Sequence, residues 1–333
     1  MKLLTISVAA YNVEKYIAQV LDSLCCKSIS ELEIFVVDDG GKDSTMEIVE
    51  TYRKKFPSSI IPVHKQNGGW GSTVNYSIQH ATGKYFKLLD GDDFFDTECL
   101  ERLLEKIGNI VADVVYTPYL RFDDDSGKTV GVFDISSHYD LNRIYDIRNL
   151  MFQQGLEMHA LTFRTSVLRE NHVNVTEHCF YTDNEFRAKG LAYSSTILFT
   201  DLRLYHYRVG RVGQSIDVEG LKKHYKDSIV VAKNLIEFHQ HLKIDSNPSV
   251  IGCVRNSISY VYRTLILIGL RDEWEQFDIY LKNGDPQYYM SHDAIVRISR
   301  MIHPSFFNLF VHFVRLKYKL ATKVKRCLYG ELI

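Results

Sequence analysis

Five carboxylates fall in two tight groups, Asp38-Asp39 and Asp90-Gly91-Asp92-Asp93. Oxygen donors of this kind suit Mg²⁺ or Mn²⁺, hard ions that keep coordination positions open for substrate phosphates. Two carboxylates one residue apart can reach one ion, or its bound diphosphate, where a strand turns. Gly91 between them tolerates the unusual backbone such a turn would require. Taken alone, an Asp-x-Asp is as readily the solvated end of a strand. Asn67-Gly68-Gly69-Trp70-Gly71 adds a stretch that lets backbone approach a ligand and then starts a helix. With Asp39 and Asp90 it outlines one crevice.

The elements that must position these groups follow from hydrophobic patterning. Leu3 to Ala9 and Glu33 to Val37 are short, near-continuous apolar runs, the pattern of strands buried on both faces of a parallel sheet. Asn12 to Leu24 has helical periodicity, and Ser44-Thr45-Met46-Glu47 reads as a capping box opening a helix toward Phe56. A strand at Ile60 to His64, a helix ending near Ala81 and a strand at Tyr85 to Leu89 continue the alternation. It predicts a doubly wound α/β domain with ligands at the carboxyl ends of its strands. Thr97 to Ile107 predicts a helix, and Asp113 to Tyr119 and Thr129 to Phe133 predict two strands joined by the polar turn Asp123 to Lys128. Asp123-Asp124-Asp125 in that turn reads as solvated. Beyond Val218 the pattern is helical, with Val250, Val254, Ile258, Val261 and Leu265 as one stripe. The expected division is 1–216 as catalytic domain and 217–333 as a helical C-terminal region.

Composition narrows the partners. The 333 residues are 45% hydrophobic and 24% charged with a net charge of −1, values of a globular chain and not of a general nucleic-acid binder. Six cysteines without a C-x-x-C pair point to a reducing compartment. No run approaches the ~18 apolar residues of a membrane span.

The motifs resemble glycosyltransferase family 2, whose members share the GT-A fold. Ala9 to Ile17 is similar to the family's opening strand and P-T-Y-N segment, Val36 to Ser44 to V-V-D-D-G-S-x-D-x-S, Asn67 to Asn75 to N-G-G-x-G-x-x-R-N, and Ala81 to Asp93 to A-T-G-x-Y-x-x-x-L-D-x-D-D. Four motifs in family order span nearly a hundred residues. The resemblance implies a UDP-sugar donor. It places Tyr11 and Asp39 on the uracil with Asp38 nearby, Ala9 contributing through backbone, Asn67, Gly68 and Gly69 along the crevice, and Asp90 and Gly91 against the sugar-nucleotide. It makes Asp92, with Asp90, the ligands of a Mn²⁺ or Mg²⁺ ion that bridges the diphosphate.

Further along, Asp183 stands where relatives carry the general base of an E-D pair, with Glu185 as the fallback; an N-cap is the structural alternative for Asp183. Arg208 and Arg211 occupy the segment that in relatives closes over the diphosphate, where cations offset charge on the departing nucleotide. His159 precedes a strand expected to approach the acceptor side. Val74 replaces a frequent Arg, and Thr182 replaces the Glu of E-D, which bears on donor preference and on the base. In Pro304 to Leu328, Arg315, Lys319, Lys323 and Arg326 lie on one stripe opposite Leu309, Phe313, Leu316, Leu320 and Val324. This basic amphipathic helix is able to lie on an anionic membrane.

The resulting expectation is an inverting glycosyltransferase that moves a sugar to a hydroxyl of a glycan or lipid-linked oligosaccharide in bacterial surface polysaccharide synthesis. It would be cytoplasmic and peripheral to the membrane. A non-catalytic glycan- or nucleotide-binding module is the alternative. A nucleotidylyltransferase would require a Gly-rich basic loop that Ala10-Tyr11-Asn12 does not supply.

Overall fold

The computed structural model describes residues 2–150, 152, 156–210, 218–242, 248–290 and 294–317. The chain divides into two compact units, Met1–Arg211 with His241–Ile251, and Val212–Gln240 with Gly252–Ile333.

The first unit opens β1(Leu4–Ala10), α1(Ile17–Leu24), β2(Leu32–Asp38), α2(Thr45–Lys55), β3(Ile60–His64), α3(Trp70–His80) and β4(Tyr85–Asp90). These four strands are mutually parallel in the order β3-β2-β1-β4. Leu4, Ile6 and Val8 of β1 are fully buried, as are Leu32, Ile34, Val36 and Val37 of β2. Each such side chain is worth about 1.5–3 kcal/mol of burial. Chain order reverses at β1, which leads out to β2 on one side and has β4 on the other, so a crevice forms at its carboxyl end.

The first turn of α2 is held differently from the expected capping box. Ser44 makes no side-chain cap, and Asp43 Oδ1 instead accepts from Thr45 N–H at 3.0 Å and from its hydroxyl at 2.6 Å. Asp43 Oδ2 accepts from Glu14 N–H at 2.9 Å, so the same carboxylate ties the loop after β1 to α2.

Then follow β5(Phe94–Phe95), α4(Thr97–Asn109), β6(Val114–Tyr116), β7(Tyr119–Asp123), β8(Thr129–Phe133), β9(Ile144–Asp146), β10(Leu161–Arg164), α5(Thr165–Glu170), α6(Asp183–Ala192), β11(Thr196–Phe199) and β12(Tyr205–Val209). Antiparallel β10 extends the main sheet to the order β3-β2-β1-β4-β10-β6-β11-β9, so the sheet is mixed. A second sheet, β5-β12-β7-β8, lies beside the carboxylate end of β4. The strand expected over Asp113 to Tyr119 is broken at Thr117-Pro118, because proline has no N–H for the ladder. Its two halves serve different sheets.

The second unit contains α7(Val218–His241), which starts within it, most of α8(Pro248–Ile268), α9(Arg271–Gly284), α10(Pro286–Met290) and α11(Ala294–Met301), with a further helical stretch at 307–317. The predicted stripe Val250, Val254, Ile258, Val261 and Leu265 is fully buried. Phe307, Val311 and Val314 are the packed face of the last stretch, while Leu309, Phe313 and Leu316 are exposed. Arg315 donates from Nε to Leu267 O at 2.6 Å. Lys319, Leu320, Lys323, Val324 and Arg326 lie outside the described residues. No helix among the described residues is long and apolar enough to cross a membrane.

Candidate active site

Strand register builds the site. Ala10 pairs with Asp38 and Ala9 with Asp90, so both carboxylate groups flank the end of β1. Tyr11, the next residue, stands at the crevice mouth with 55% of its surface exposed, available for stacking. Gly91 N–H donates to Ala9 O at 2.9 Å, and a Cβ on Gly91 would meet that oxygen at 2.6 Å. The glycine between the two aspartates is therefore required by close approach to β1. An unusual backbone is not the reason, since Gly91 is absent from the glycines of positive φ.

Asp39 is 4% exposed and organises the glycine loop. Its Oδ1 accepts from Gly68 N–H at 2.8 Å and pairs with Lys65 Nζ at 2.9 Å, and its Oδ2 accepts from Gly69 N–H at 2.8 Å. Asn67 Nδ2 donates to Asp39 O at 2.8 Å. The residue expected to face the uracil is thus already the anchor of the loop. Asp38 Oδ1 accepts from Gly41 N–H at 2.8 Å.

The loop positions the Asp-Gly-Asp segment in turn, because Trp70 Nε1 donates to Asp90 Oδ1 at 2.8 Å. It also carries the segment before α6. Asn75 exchanges two hydrogen bonds of 2.9 Å with Val175, His178 N–H donates to Gly68 O at 2.5 Å, and a Cβ on Gly71 would meet Thr176 O at 2.3 Å. His178 and Tyr181 have φ of +54° and +66°, a strained backbone at the approach to Asp183.

Behind the aspartates, Asp93 is 1% exposed. Its Oδ2 accepts from Tyr205 OH and its Oδ1 from Arg208 N–H, both at 2.7 Å. Burial, then the neighbouring Asp92 and Asp90, raise its pKa well above the carboxylate range. Arg208 is 6% exposed and faces inward. Its Nε donates to Asp92 O at 2.6 Å, its Nη2 to Gln19 Oε1 at 2.6 Å, its Nη1 pairs with Asp124, and its plane lies over Tyr16. Arg208 braces the carboxylate loop from behind, and Asp124, expected to be merely solvated, is its counter-ion. Arg211 lies outside the described residues.

Asp90, Asp93 and a ring nitrogen of His159 come within 4.8 Å of one another. His159 Nδ1 is buried without a hydrogen-bond partner, and burial followed by Arg121 and Lys87 lowers its pKa to about 3, leaving a neutral imidazole. Asp92 is not in this grouping. Asp93, however, spends both oxygens on Tyr205 and Arg208, which makes it a strut. Asp90 and Asp92 are partly exposed at the end of β4, and their carboxylates are of the kind that would suit Mn²⁺ or Mg²⁺.

Asp183 is the first residue of α6, and Thr182 holds the N-cap position without a side-chain cap bond. Backbone N–H groups of Asn184 and of Asp183 itself nevertheless act on the Asp183 carboxylate, so its alternative role of binding the first amides of α6 stands beside that of base. Removal from water raises the Asp183 pKa, opposed by Arg187 and reinforced by Glu157. Glu185 is fully buried and accepts from Thr176 N–H at 2.9 Å and Thr176 Oγ1 at 2.8 Å, with Lys189 Nζ at 3.2 Å. A carboxylate so enclosed ties the loop to α6 and does not reach an acceptor, so the geometry removes Glu185 from the role of base.

Lys65 was not singled out by sequence reasoning and required the fold. Trp70 and Asn75 lie within the Asn67 to Asn75 motif and Tyr205 opens the segment that leads to Arg208, but the contacts each makes are visible only in the fold.

Comparison with known proteins agrees with this geometry. The protein named "Putative glycosyltransferase EpsH" of Bacillus subtilis is 28% identical over 215 residues, covering 61% of this chain and 59% of its own. The poly(ribitol-phosphate) β-N-acetylglucosaminyltransferase TarS of Staphylococcus aureus is 25% identical over 213 residues, covering 63% of this chain and 36% of TarS. The chain thus spans about three fifths of the first relative and about a third of the second. The solved structure of TarS 1–349 with UDP-GlcNAc aligns with a TM-score of 0.60 at 22% identity, covering 90% of this chain and 92% of that one. A mannosyltransferase from Pyrobaculum calidifontis, solved with GDP-Man and Mn²⁺, gives 0.54 at 12%, covering 97% and 86%. These likenesses show the GT-A fold. The sequence model of Glycosyl transferase family 2 matches residues 5–173, just over half of the chain, and with its four motifs placed around one crevice the chain belongs to that family.

Proposed function

We propose that this chain is an inverting, metal-dependent glycosyltransferase that moves a hexosyl or N-acetylhexosaminyl group from a UDP-sugar to a hydroxyl of a glycan or lipid-linked acceptor in bacterial surface polysaccharide synthesis. The observation that carries the reading is the strand register, which sets Asp38 on one side of β1 and Asp90 on the other, with Tyr11 directly after the end of β1. TarS solved with UDP-GlcNAc supports the donor class, and the mannosyltransferase solved with Mn²⁺ supports the metal.

Tyr11 stacks on the base, and the loop anchored by Asp39 walls the nucleotide. Asp90, oriented by Trp70, and Asp92, braced through its carbonyl by Arg208, would hold the ion. That ion, when bound, neutralises charge on the diphosphate. Asp183 accepts the acceptor's hydroxyl proton. The freed oxygen bonds to the anomeric carbon from the face opposite the nucleotide, the bond from carbon to diphosphate oxygen breaks, and UDP leaves with that electron pair.

The exposed Leu309, Phe313 and Leu316, followed in sequence by Lys317, Lys319, Lys323 and Arg326, support contact with the anionic cytoplasmic face of a membrane. The deciding experiment follows label from each of a panel of UDP-sugars into glycan or lipid-linked acceptors, with NMR of the product anomer. Transfer with inversion supports the proposal. Tight UDP binding with no transfer from any donor would leave the non-catalytic module.

A further inference from the structure

Past the carboxylate loop the main sheet continues from β4 to antiparallel β10, on the side away from β1. Phe163 pairs with Phe86 and Arg164 with Tyr85, and the same register carried toward the end of β4 sets His159 opposite Asp90. A ring nitrogen of His159 accordingly lies within 4.8 Å of a carboxylate oxygen of Asp90 and of Asp93. The rings of Tyr207, Tyr205 and Tyr119 hold the imidazole at 4.6, 4.7 and 5.1 Å between centroids, and Lys87 Nζ donates to the His159 carbonyl at 2.9 Å. Nδ1 is buried without a partner while the residue is partly exposed, so Nε2 is the nitrogen that a ligand can meet. Tyr11 follows β1 and Asp38 ends β2, so the strand order β2-β1-β4-β10 runs from the side expected for the base, past Asp90, to His159. A nucleotide-sugar laid along that order brings its sugar to the gap between Asp90 and His159.

We propose that His159 and Asp90 share one hydroxyl of the donor sugar, which makes His159 a residue that selects the donor; the inference rests on the glycosyl-transfer reading above. The hydroxyl donates to the Asp90 carboxylate, which can only accept, and accepts from Nε2–H of the imidazole. The ring then keeps a lone pair at the enclosed Nδ1, where an unmet N–H would be the costlier choice. Two hydrogen bonds of ~2.8 Å meeting at one oxygen put their outer atoms about 4.6 Å apart, which matches the gap. Asp93 spends its oxygens on Tyr205 and Arg208, so Asp90 is the carboxylate that takes part. A phosphate oxygen in the same place would face the Asp90 carboxylate, an unfavourable pairing of like charges. A bare C–H would leave both polar groups unmet, and a site built to bond a hydroxyl rejects the analogue that lacks it.

The test is calorimetric titration, in Mn²⁺, of UDP, UDP-glucose, UDP-galactose and UDP-N-acetylglucosamine, and then of the tightest-binding sugar donor deoxygenated in turn at each free hydroxyl. Removal of one hydroxyl is expected to weaken binding about tenfold or more, and in His159→Phe that penalty should shrink at least about threefold while UDP itself binds both proteins alike. No position reaching that penalty in the unaltered protein, or a smaller change in His159→Phe, overturns the inference. So does a nitrogen coupling in pulsed EPR of the Mn²⁺–UDP complex that vanishes in His159→Phe, because the imidazole would then belong to the ion. If His159→Phe does not melt cooperatively, His159→Gln serves instead with the same outcomes. UDP binding without discrimination among the deoxygenated donors sinks only this inference. Absence of UDP binding by the folded protein sinks the glycosyl-transfer reading itself.

Discussion

Trp70 Nε1 donates to Asp90 Oδ1 across 2.8 Å, so the glycine loop and the Asp-Gly-Asp loop are one mechanical unit. Trp70→Phe keeps most of the ring and deletes the donor. A hydrogen bond to a charged group is worth about 1.5–3 kcal/mol, so the affinity for UDP in the presence of Mn²⁺ should fall on the order of tenfold or more. Calorimetric titration checks this, and an unchanged affinity would mean that Asp90 needs no such orientation.

Asp183 and Glu185, two residues apart, should separate cleanly. Asp183→Asn is expected to lose transfer by about 10²–10⁴-fold while binding UDP normally, the range for loss of a general base. Glu185→Gln should lower stability by about 1–3 kcal/mol through its Thr176 bonds, with kcat of the folded fraction nearly unchanged. Denaturation curves and steady-state kinetics on both variants decide which carboxylate is the base.

The raised Asp183 pKa sets the acid limb of the pH profile. The base is competent only when ionised, so kcat/KM should fall with decreasing pH through a point above the ordinary carboxylate value of about 3.9. Arg187 favours the ionised form; removing it in Arg187→Gln should move the limb to still higher pH. A limb that does not move would place the titration elsewhere.

Lys87 is fully buried on β4, donates to His159 O at 2.9 Å, and has its pKa lowered to about 7 by burial. Between that value and 10.5 the unfolded chain binds a proton that the folded chain does not. Stability should therefore rise with pH across this window, by at most about 1.4 kcal/mol per unit, and be lost as pH falls through 7. Lys87→Met should abolish that slope in urea denaturation from pH 6.5 to 9.5. The same slope in both proteins would contradict the assignment.

Much of the donor side was legible because it is local. Apolar runs ending in Asp38 and Asp90 announce strands buried on both faces, and parallel pairing with β1 then places those ends together. What sequence could not show is what consumes each polar group. Asp39 and Asp92-Asp93 meet their partners Lys65, Tyr205 and Arg208 across 26 to 116 positions of chain, and no periodicity reports such pairings. Glu185 stood as the fallback to Asp183 because both fall in the first turn of α6. Only burial against Thr176 tells them apart. The broken strand at Thr117-Pro118 carried its own warning in the proline.

The central claim, a metal-assisted departure of UDP at the Asp90–Asp92 loop, is tested most directly by UDP release from UDP-sugars without acceptor, in EDTA and after return of Mn²⁺ or Mg²⁺. The account predicts slow release from one donor, abolished by EDTA, restored by metal, and nearly absent in Asp92→Asn with its fold intact. Release that persists in EDTA, or survives within a few-fold in Asp92→Asn, would contradict it.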